Sequence, residues 1–174
     1  MRLEEKTIKK NTVYSGKIIN LRRDDVLLPN GNTAVRELVE HPGGACILAV
    51  KDGLVYFVEQ FRYPYGETLL ELPAGKLEYG ENPEHAALRE LTEEVGLKAE
   101  RAELVTTVYP TPGYNNEKLY LFRAEGLSEA PVHPDDDEFL NIIKLPVSEA
   151  LAMIKSGKLR DAKSIILLLM CLKD

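Results

Sequence analysis

The chain has 174 residues, enough for one domain with a modest extension, and 44% are hydrophobic, so a core forms without disulfide staples. Lys and Arg number 22 against 28 Asp and Glu, a net charge of −6, which argues against a general nucleic-acid binder and leaves small anionic substrates open. The longest apolar run, residues 165–172, is too short to span a bilayer, and the N-terminal MRLEEKTIKK lacks an apolar signal-peptide core; the expectation is a cytoplasmic protein with no membrane partner.

Residues 1–40 read as short strands joined by turns. Residues 12–14, 16–19 and 25–28 are β-rich, and Pro29-Asn30-Gly31-Asn32 supplies a turn with Asn-Gly suited to positive φ. Residues 33–39 then alternate at strand period. So small a sheet has little core of its own and must pack on the main domain or on a second subunit. His41-Pro42-Gly43-Gly44 marks the boundary, giving a β extension over 1–40 and the main domain over 41–174.

Beyond the boundary, residues 45–50 and 54–59 are apolar strands separated by Lys51-Asp52-Gly53, a hairpin signal. Residues 61–66 form a loop rich in Tyr, Pro and Gly, and 68–72 a further strand closed by Pro73-Ala74-Gly75. A helix follows over 83–95: Asn82 is a good N-cap, Pro83 suits the first helical position, Glu84 favours the positive end and Gly96 ends it. Strands at 102–109 and 118–124 flank a loop. Residues 130–138 form an acidic surface loop and 139–145 a strand. Ser148 is placed to cap a helix to about Ser156, and Asp161 a last helix through Leu172. Cys46 and Cys171 each lie in an apolar run and read as reduced, buried thiols. Strands and helices without regular alternation indicate an α+β or layered α/β/α sandwich.

The chemistry concentrates on the first helix. At 100° per residue Glu90, Glu93 and Glu94 stand at i, i+3 and i+4 and share one face, while Ala87, Leu88, Leu91 and Val95 occupy the neighbouring sector and bury against a sheet. Like charges at this spacing cost roughly 0.2–0.5 kcal/mol each unless a cation lies among them. Arg89 reaches Glu93 at i+4, and the other carboxylates are free to bind a hard divalent ion through oxygen.

Gly75, five residues, Glu81, seven residues, then Arg89-Glu90-Leu91-x-Glu93-Glu94-x-Gly96-Leu97 resembles the Nudix hydrolase signature over 23 consecutive residues. The resemblance implies an α/β/α sandwich of mixed sheets with an N-terminal antiparallel β extension. It implies Glu90, Glu93 and Glu94 as ligands to Mg²⁺ or Mn²⁺, with more than one ion bound. Glu81 supports the site, Arg89 holds a carboxylate, and Gly75 allows a tight turn that aims the Ala74 carbonyl at the metal.

Other segments resemble the ADP-ribose pyrophosphatase subgroup: Arg36-Glu37 before His41-Pro42-Gly43, Glu59-Gln60-Phe61-Arg62, Glu71-Leu72-Pro73-Ala74-Gly75, Pro112-Gly113 about sixteen residues past Gly96, and Asp161-Ala162-Lys163. The implied substrate is ADP-ribose, cleaved to AMP and ribose 5-phosphate. A nucleotide sugar, NADH, a dinucleoside polyphosphate, or a non-catalytic ADP-ribose sensor stand as alternatives. Arg62 and Arg36 each either clamp a phosphate or make a surface ion pair, and Glu117 is placed to accept from ribose hydroxyls. Tyr14, Tyr63 and Tyr65 either stack on adenine or are ordinary loop tyrosines. For the general base, Glu138 is the first choice; Asp136 is one methylene shorter. His41, His85 and His133 show no metal-ligand spacing. Relatives in the subgroup dimerise through the N-terminal sheet, so a homodimer is expected.

Overall fold

The computed structural model describes residues 3–132 and 139–172, which divide into two compact units. The smaller comprises the chain up to Gly43 together with Tyr109–Lys118. In it β1 (Lys6–Lys9) and β2 (Thr12–Ser15) pair in succession along one edge of β3 (Asn20–Leu27), and β4 (Thr33–Glu40) pairs along the other, all antiparallel. Residues 16–19, expected to be β, instead make the turn between β2 and β3. Ser15 faces Asn20 across it, and the Gly16 amide donates to the Ile19 carbonyl at 2.9 Å. Val26 and Asp24 are buried, and Arg22 meets both Asp24 and Glu40, so a shielded ion pair stands where a larger sheet would have apolar core. Ile8, Val13, Tyr14, Ile18, Ile19, Leu27 and Val35 are all exposed.

The larger unit runs Gly44–Val108 and resumes at Leu119. One sheet contains β5 (Gly44–Leu48), β9 (Ala74–Lys76), β11 (Arg101–Val108) and β12 (Leu119–Glu125) in the order β11-β12-β5-β9, with β12 and β5 parallel. A second holds β6 (Val50–Lys51), β7 (Leu54–Arg62), β8 (Glu67–Glu71) and β14 (Leu140–Pro146), with β7 pairing the other three. A two-stranded pair joins β10 (Leu97–Lys98) to β13 (Ser128–Glu129). The hairpin signal holds for β6 and β7, where Asp52 and Gly53 turn with φ of 52° and 75°, the two positive values a type I′ turn needs. It does not hold for β5, which pairs with β12 and β9.

The three helices are α1 (Pro83–Val95), α2 (Val147–Lys155) and α3 (Ala162–Cys171). Side-chain alternation places the sheets between them. Ala45, Ile47 and Ala49, with Tyr56 and Val58, pack in one core with Ala87, Leu91 and Val95 of α1. Cys46 and Leu48, with Val55 and Phe57, pack in a second with Leu151 of α2 and Leu167 and Leu168 of α3. That is an α/β/α sandwich. Both faces of β5 are covered, which is why its sequence is apolar throughout. Each large side chain so buried contributes about 1.5–3 kcal/mol.

Helix α1 starts and stops as its sequence dictates. The Asn82 side chain accepts from the Glu84 amide at 2.8 Å, Pro83 opens the helix, and Gly96 closes it at φ 65°. Asp161 caps α3 by accepting from the Ser164 amide at 3.1 Å. Helix α2 differs from expectation: it begins at Val147 directly after β14, with Pro146 at the cap position and Ser148 inside the first turn. Phe61 and Arg62, expected in a loop, continue β7 opposite Thr68 and Glu67. Ala74 and Gly75, expected with Pro73 to close a strand, instead open β9, which runs to Lys76 against Cys46, Ala45 and Gly44.

Candidate active site

The acidic helix meets strand β9 in the larger unit. Glu90 and Glu94 are 6% and 2% exposed, an unusual depth for carboxylates, and both lie on the β9 backbone. Glu94 accepts from the Ala74 amide at 2.9 Å. The Glu90 carboxylate lies beside Gly75 so closely that a Cβ there would fall 1.7 Å from its Oε1. This is the physical requirement for glycine at position 75. The expected tight turn is replaced by a strand residue without a side chain, whose missing Cβ makes room for Glu90.

Arg89 organises the remaining acids. Its Nη1 lies 2.8 Å from Glu93 and 2.8 Å from Glu90, and its Nε donates to Glu81 at 3.1 Å. The sequence reading anticipated the Glu93 contact; Glu90 and Glu81 add two more to the same guanidinium. Burial alone would lower the Arg89 pKa, but hydrogen bonds to Glu81 and Glu93 and the charge of Glu90 raise it, so the side chain stays a cation. Burial pushes the Glu81 carboxyl up, and Arg89 together with the Glu78 amide more than offsets this, holding it below the usual range. Three carboxylates, Glu81, Glu90 and Glu93, therefore meet one guanidinium, and Glu94 lies on the β9 backbone one turn along the same helix. Hard oxygen donors gathered in this way are the donor chemistry a divalent cation such as Mg²⁺ takes. No three His, Cys, Asp or Glu side chains converge on one point among the described residues. The helix still brings Glu90, Glu93 and Glu94 to one face, and Arg89 contacts Glu81, Glu90 and Glu93.

A second charged cluster lies in the same unit. Glu71, at the end of β8, is 2% exposed. It accepts from Arg62 Nε at 2.6 Å and Nη2 at 2.8 Å, and from Lys163 Nζ. Lys163 Nζ also bonds Asp161 at 3.0 Å, and the Leu72 amide donates to the buried Ser164 hydroxyl at 2.7 Å. Burial pushes the Glu71 carboxyl up, but the two cations more than reverse this and hold it below the usual range. Arg62 thus makes an ion pair, but with a buried partner, and its own side chain remains 38% exposed. Glu71 and Lys163 lie in segments that resemble the subgroup, but no local pattern assigns either a role. The available signal was a lone acid inside the apolar run Leu69-Leu70-Glu71-Leu72.

Burial pushes the Cys46 thiol far up, as suits an inert core residue, and Cys46 and Cys171 are both free. Tyr63 and Tyr65, beside Arg62, are 88% and 74% exposed.

Other expected site residues belong to the smaller unit. Arg36 and Glu37 are exposed on β4, and Arg36 Nε donates to Glu5 at 2.9 Å. Tyr109–Lys118 is tied to β4: the Val39 amide donates to Tyr114 at 2.7 Å and the Asn116 amide to Val39 at 3.1 Å. Pro112 and Gly113 are exposed at this loop's tip. Glu117, partly buried, lies 3.4 Å from His41 Nδ1, and the Asn115 side chain accepts from its amide at 2.8 Å. Glu138, with Asp136 and His133, falls outside the described residues. No described helix is long and apolar enough to cross a membrane.

Comparison with known proteins agrees with this geometry. The family model described as the NUDIX domain matches residues 39–168, and that of the nucleoside diphosphate sugar hydrolase N-terminal domain matches 5–39. The chain is 46% identical over 165 residues to the ADP-ribose pyrophosphatase of Bacillus subtilis (strain 168), covering 93% of this chain and 89% of that one. It is 43% identical over 166 residues to the methanol dehydrogenase activator of Bacillus methanolicus, covering 94% and 90%. Among solved structures, an ADP compounds hydrolase shares the fold at a TM-score of 0.85 and 20% identity, covering 98% of this chain and 94% of that one. With Gly75 packed on Glu90, Arg89 among its acids, and a family model spanning most of the sequence, the chain belongs to the NUDIX family.

Proposed function

We propose that this protein is a divalent-metal-dependent hydrolase that cleaves the pyrophosphate bond of ADP-ribose to AMP and ribose 5-phosphate. The observation that carries the reading is the pair of deeply buried carboxylates, Glu90 and Glu94, packed on β9 on the same helix as the Arg89–Glu93 pair. Carboxylates held at this depth on one helix face present the hard oxygen donors that a divalent ion takes. In this reading Glu90, Glu93, Glu94 and the Ala74 carbonyl hold Mg²⁺ or Mn²⁺, more than one ion, and Glu81 with Arg89 sets their orientation. Bound ions draw charge from the diphosphate oxygens and acidify water. Arg62 supplies a fixed cation for a phosphate oxygen, and Glu138 is the proposed base that takes the proton of the attacking water. Water adds to one phosphorus, the bridging P–O bond breaks, and the second phosphate departs as the other monophosphate.

Substrate choice rests on Arg36, Glu37, Pro112, Gly113 and Glu117, which we assign to nucleoside and ribose recognition, and on the name carried by the Bacillus subtilis relative. The exposed apolar side chains of the smaller unit support a homodimer formed through that sheet. We place the enzyme in the cytoplasm, acting on a small molecule and not on nucleic acid.

A second reading is favoured by the N-terminal match at 5–39, whose family description names nucleoside diphosphate sugar hydrolases: hydrolysis of a nucleotide sugar. A metal-dependent hydrolysis panel decides, with ADP-ribose, ADP-glucose, NADH, diadenosine polyphosphates and nucleoside triphosphates. ADP-ribose is expected to show the highest kcat/KM; a larger value for any other compound replaces it as substrate.

A further inference from the structure

The Glu71 cluster joins three elements of the larger unit. Arg62 ends β7, Glu71 ends β8, and Lys163 lies in the first turn of α3, one residue before the Ser164 that binds the Leu72 amide. Leu72 stands two residues before Ala74, whose amide is held by Glu94. Arg62 presents its Nε and Nη2 edge to Glu71 in the two-point geometry that fixes a guanidinium plane. Glu71 is 3% exposed at its side chain and Arg62 38%, so the arginine has a buried, anchored edge and an open one. A guanidinium has five N–H groups, and two point donation to Glu71 leaves three for an anion.

Charge sets the difficulty. Glu71, Asp161 and Glu94 all act on Arg62. A cation among three carboxylates has little attraction left for a diphosphate. Lys163 changes this. Its ammonium, 11% exposed, binds Glu71 and Asp161 together, and Asp161 is further engaged by the Ser164 amide at the start of α3. Glu71 is therefore shared between two cations, and Arg62 is held without being neutralised.

We propose that Glu71 and Lys163 are positioning residues for Arg62: Glu71 fixes the guanidinium plane, and Lys163, by sharing Glu71, preserves the attraction of Arg62 for the substrate's diphosphate. The proposal deepens the hydrolase reading and rests on it for the ligand class, a nucleoside diphosphate derivative. It makes Lys163, which need never touch substrate, a determinant of substrate affinity.

The test is a double-mutant cycle on the full-length protein with Lys163→Met, Arg62→Ala and the double variant. KM and kcat are measured with Mg²⁺, and the Kd of ADP-ribose by calorimetry in Ca²⁺. Lys163→Met is expected to raise KM and Kd about tenfold with kcat within about twofold, the signature of lost ground-state binding. In the Arg62→Ala background the same change is expected to alter KM by less than about twofold, because its route is gone. An equal rise in both backgrounds, or a fall in kcat at unchanged KM, overturns the proposal and leaves Lys163 a core ion pair. If Lys163→Met shows no cooperative thermal unfolding, Glu71→Gln enters the same cycle under the same criteria. A wild-type chain that ignores ADP-ribose but cleaves ADP-glucose defeats the substrate assignment alone, and the cycle is then read on ADP-glucose.

Discussion

Replacing Gly75 by alanine separates the fold from the chemistry more sharply than removing any acid. The new Cβ falls 1.7 Å from Glu90 Oε1 and 2.1 Å from its Cδ, whereas Cβ contacts below 3.0 Å are essentially never seen. The carboxylate must therefore retreat by about 1.3 Å, the difference between those distances. What moves is the end of a flexible side chain, and Gly75 sits in a strand without positive φ, so alanine suits the backbone. Stability should change by no more than about 1 kcal/mol, since the lost unfolded-state entropy offsets part of the strain. Misplacing a catalytic group by about 1 Å costs on the order of 100-fold, or about 2.7 kcal/mol of barrier. The assay is the initial rate of AMP release from ADP-ribose at saturating Mg²⁺, paired with a urea unfolding midpoint. A kcat/KM within about threefold of wild type would show that Glu90 does not work from its place beside β9. Loss of the cooperative urea transition refutes the reasoning from the other side, because the clash would then have fallen on the fold.

Glu94→Gln should lower turnover at least about 1000-fold while leaving circular dichroism and melting nearly unchanged, because the glutamine carbonyl still accepts from the Ala74 amide; more than a tenth of wild-type activity sinks the assignment. Glu71 is held below its ordinary 4.5 in the folded chain, so as pH falls the unfolded chain takes up this proton first and stability is lost through and below that value. Glu71→Gln should therefore cost about 2 kcal/mol at pH 7 and flatten the stability loss between about pH 5 and 3; an unchanged slope by urea titration contradicts the coupling. Sedimentation equilibrium should give a mass near twice 19.5 kDa, and Val13→Glu should shift it toward one chain; a wild-type mass of one chain removes the dimer.

Where local chemistry decides structure, the sequence was readable. Asn82, Pro83 and Gly96 bound α1 because cap, first-turn and left-handed positions each suit few residues, and Asp52-Gly53 turned as its dipeptide requires. Sheet membership was not readable, because β5 and the first half of β7 are both continuous apolar runs covered on two faces. Periodicity then carries no sign of which neighbour a strand takes. That β5 lies between β12 and β9 depends on contacts more than 70 residues away, such as Leu121 opposite Cys46. Pro73-Ala74-Gly75 looked like a strand's end because of its proline and glycine, yet Ala74–Lys76 forms β9, where the small Gly75 serves close approach.

The site divides along the same line. Spacing put Glu90, Glu93 and Glu94 on one face of a helix, and any helix would do so. It did not reveal which would be buried, because burial is set by where β9 passes: Glu90 and Glu94 face it, while Glu93 stays about one-third exposed beside Arg89. Nor did spacing reveal that Arg89 serves three acids, since Glu81 lies outside the helix and reaches it only through the turn at Glu78–Glu81. The Glu71 cluster was hidden for a related reason. Its members come from β7, β8 and α3, with Lys163 92 residues from Glu71, and no local pattern links them. A lone carboxylate inside an apolar strand is nonetheless an incomplete statement, since burial demands a counter-charge. Glu71 within Leu69-Leu70-Glu71-Leu72 already required a cation from elsewhere in the chain, and the fold supplies two.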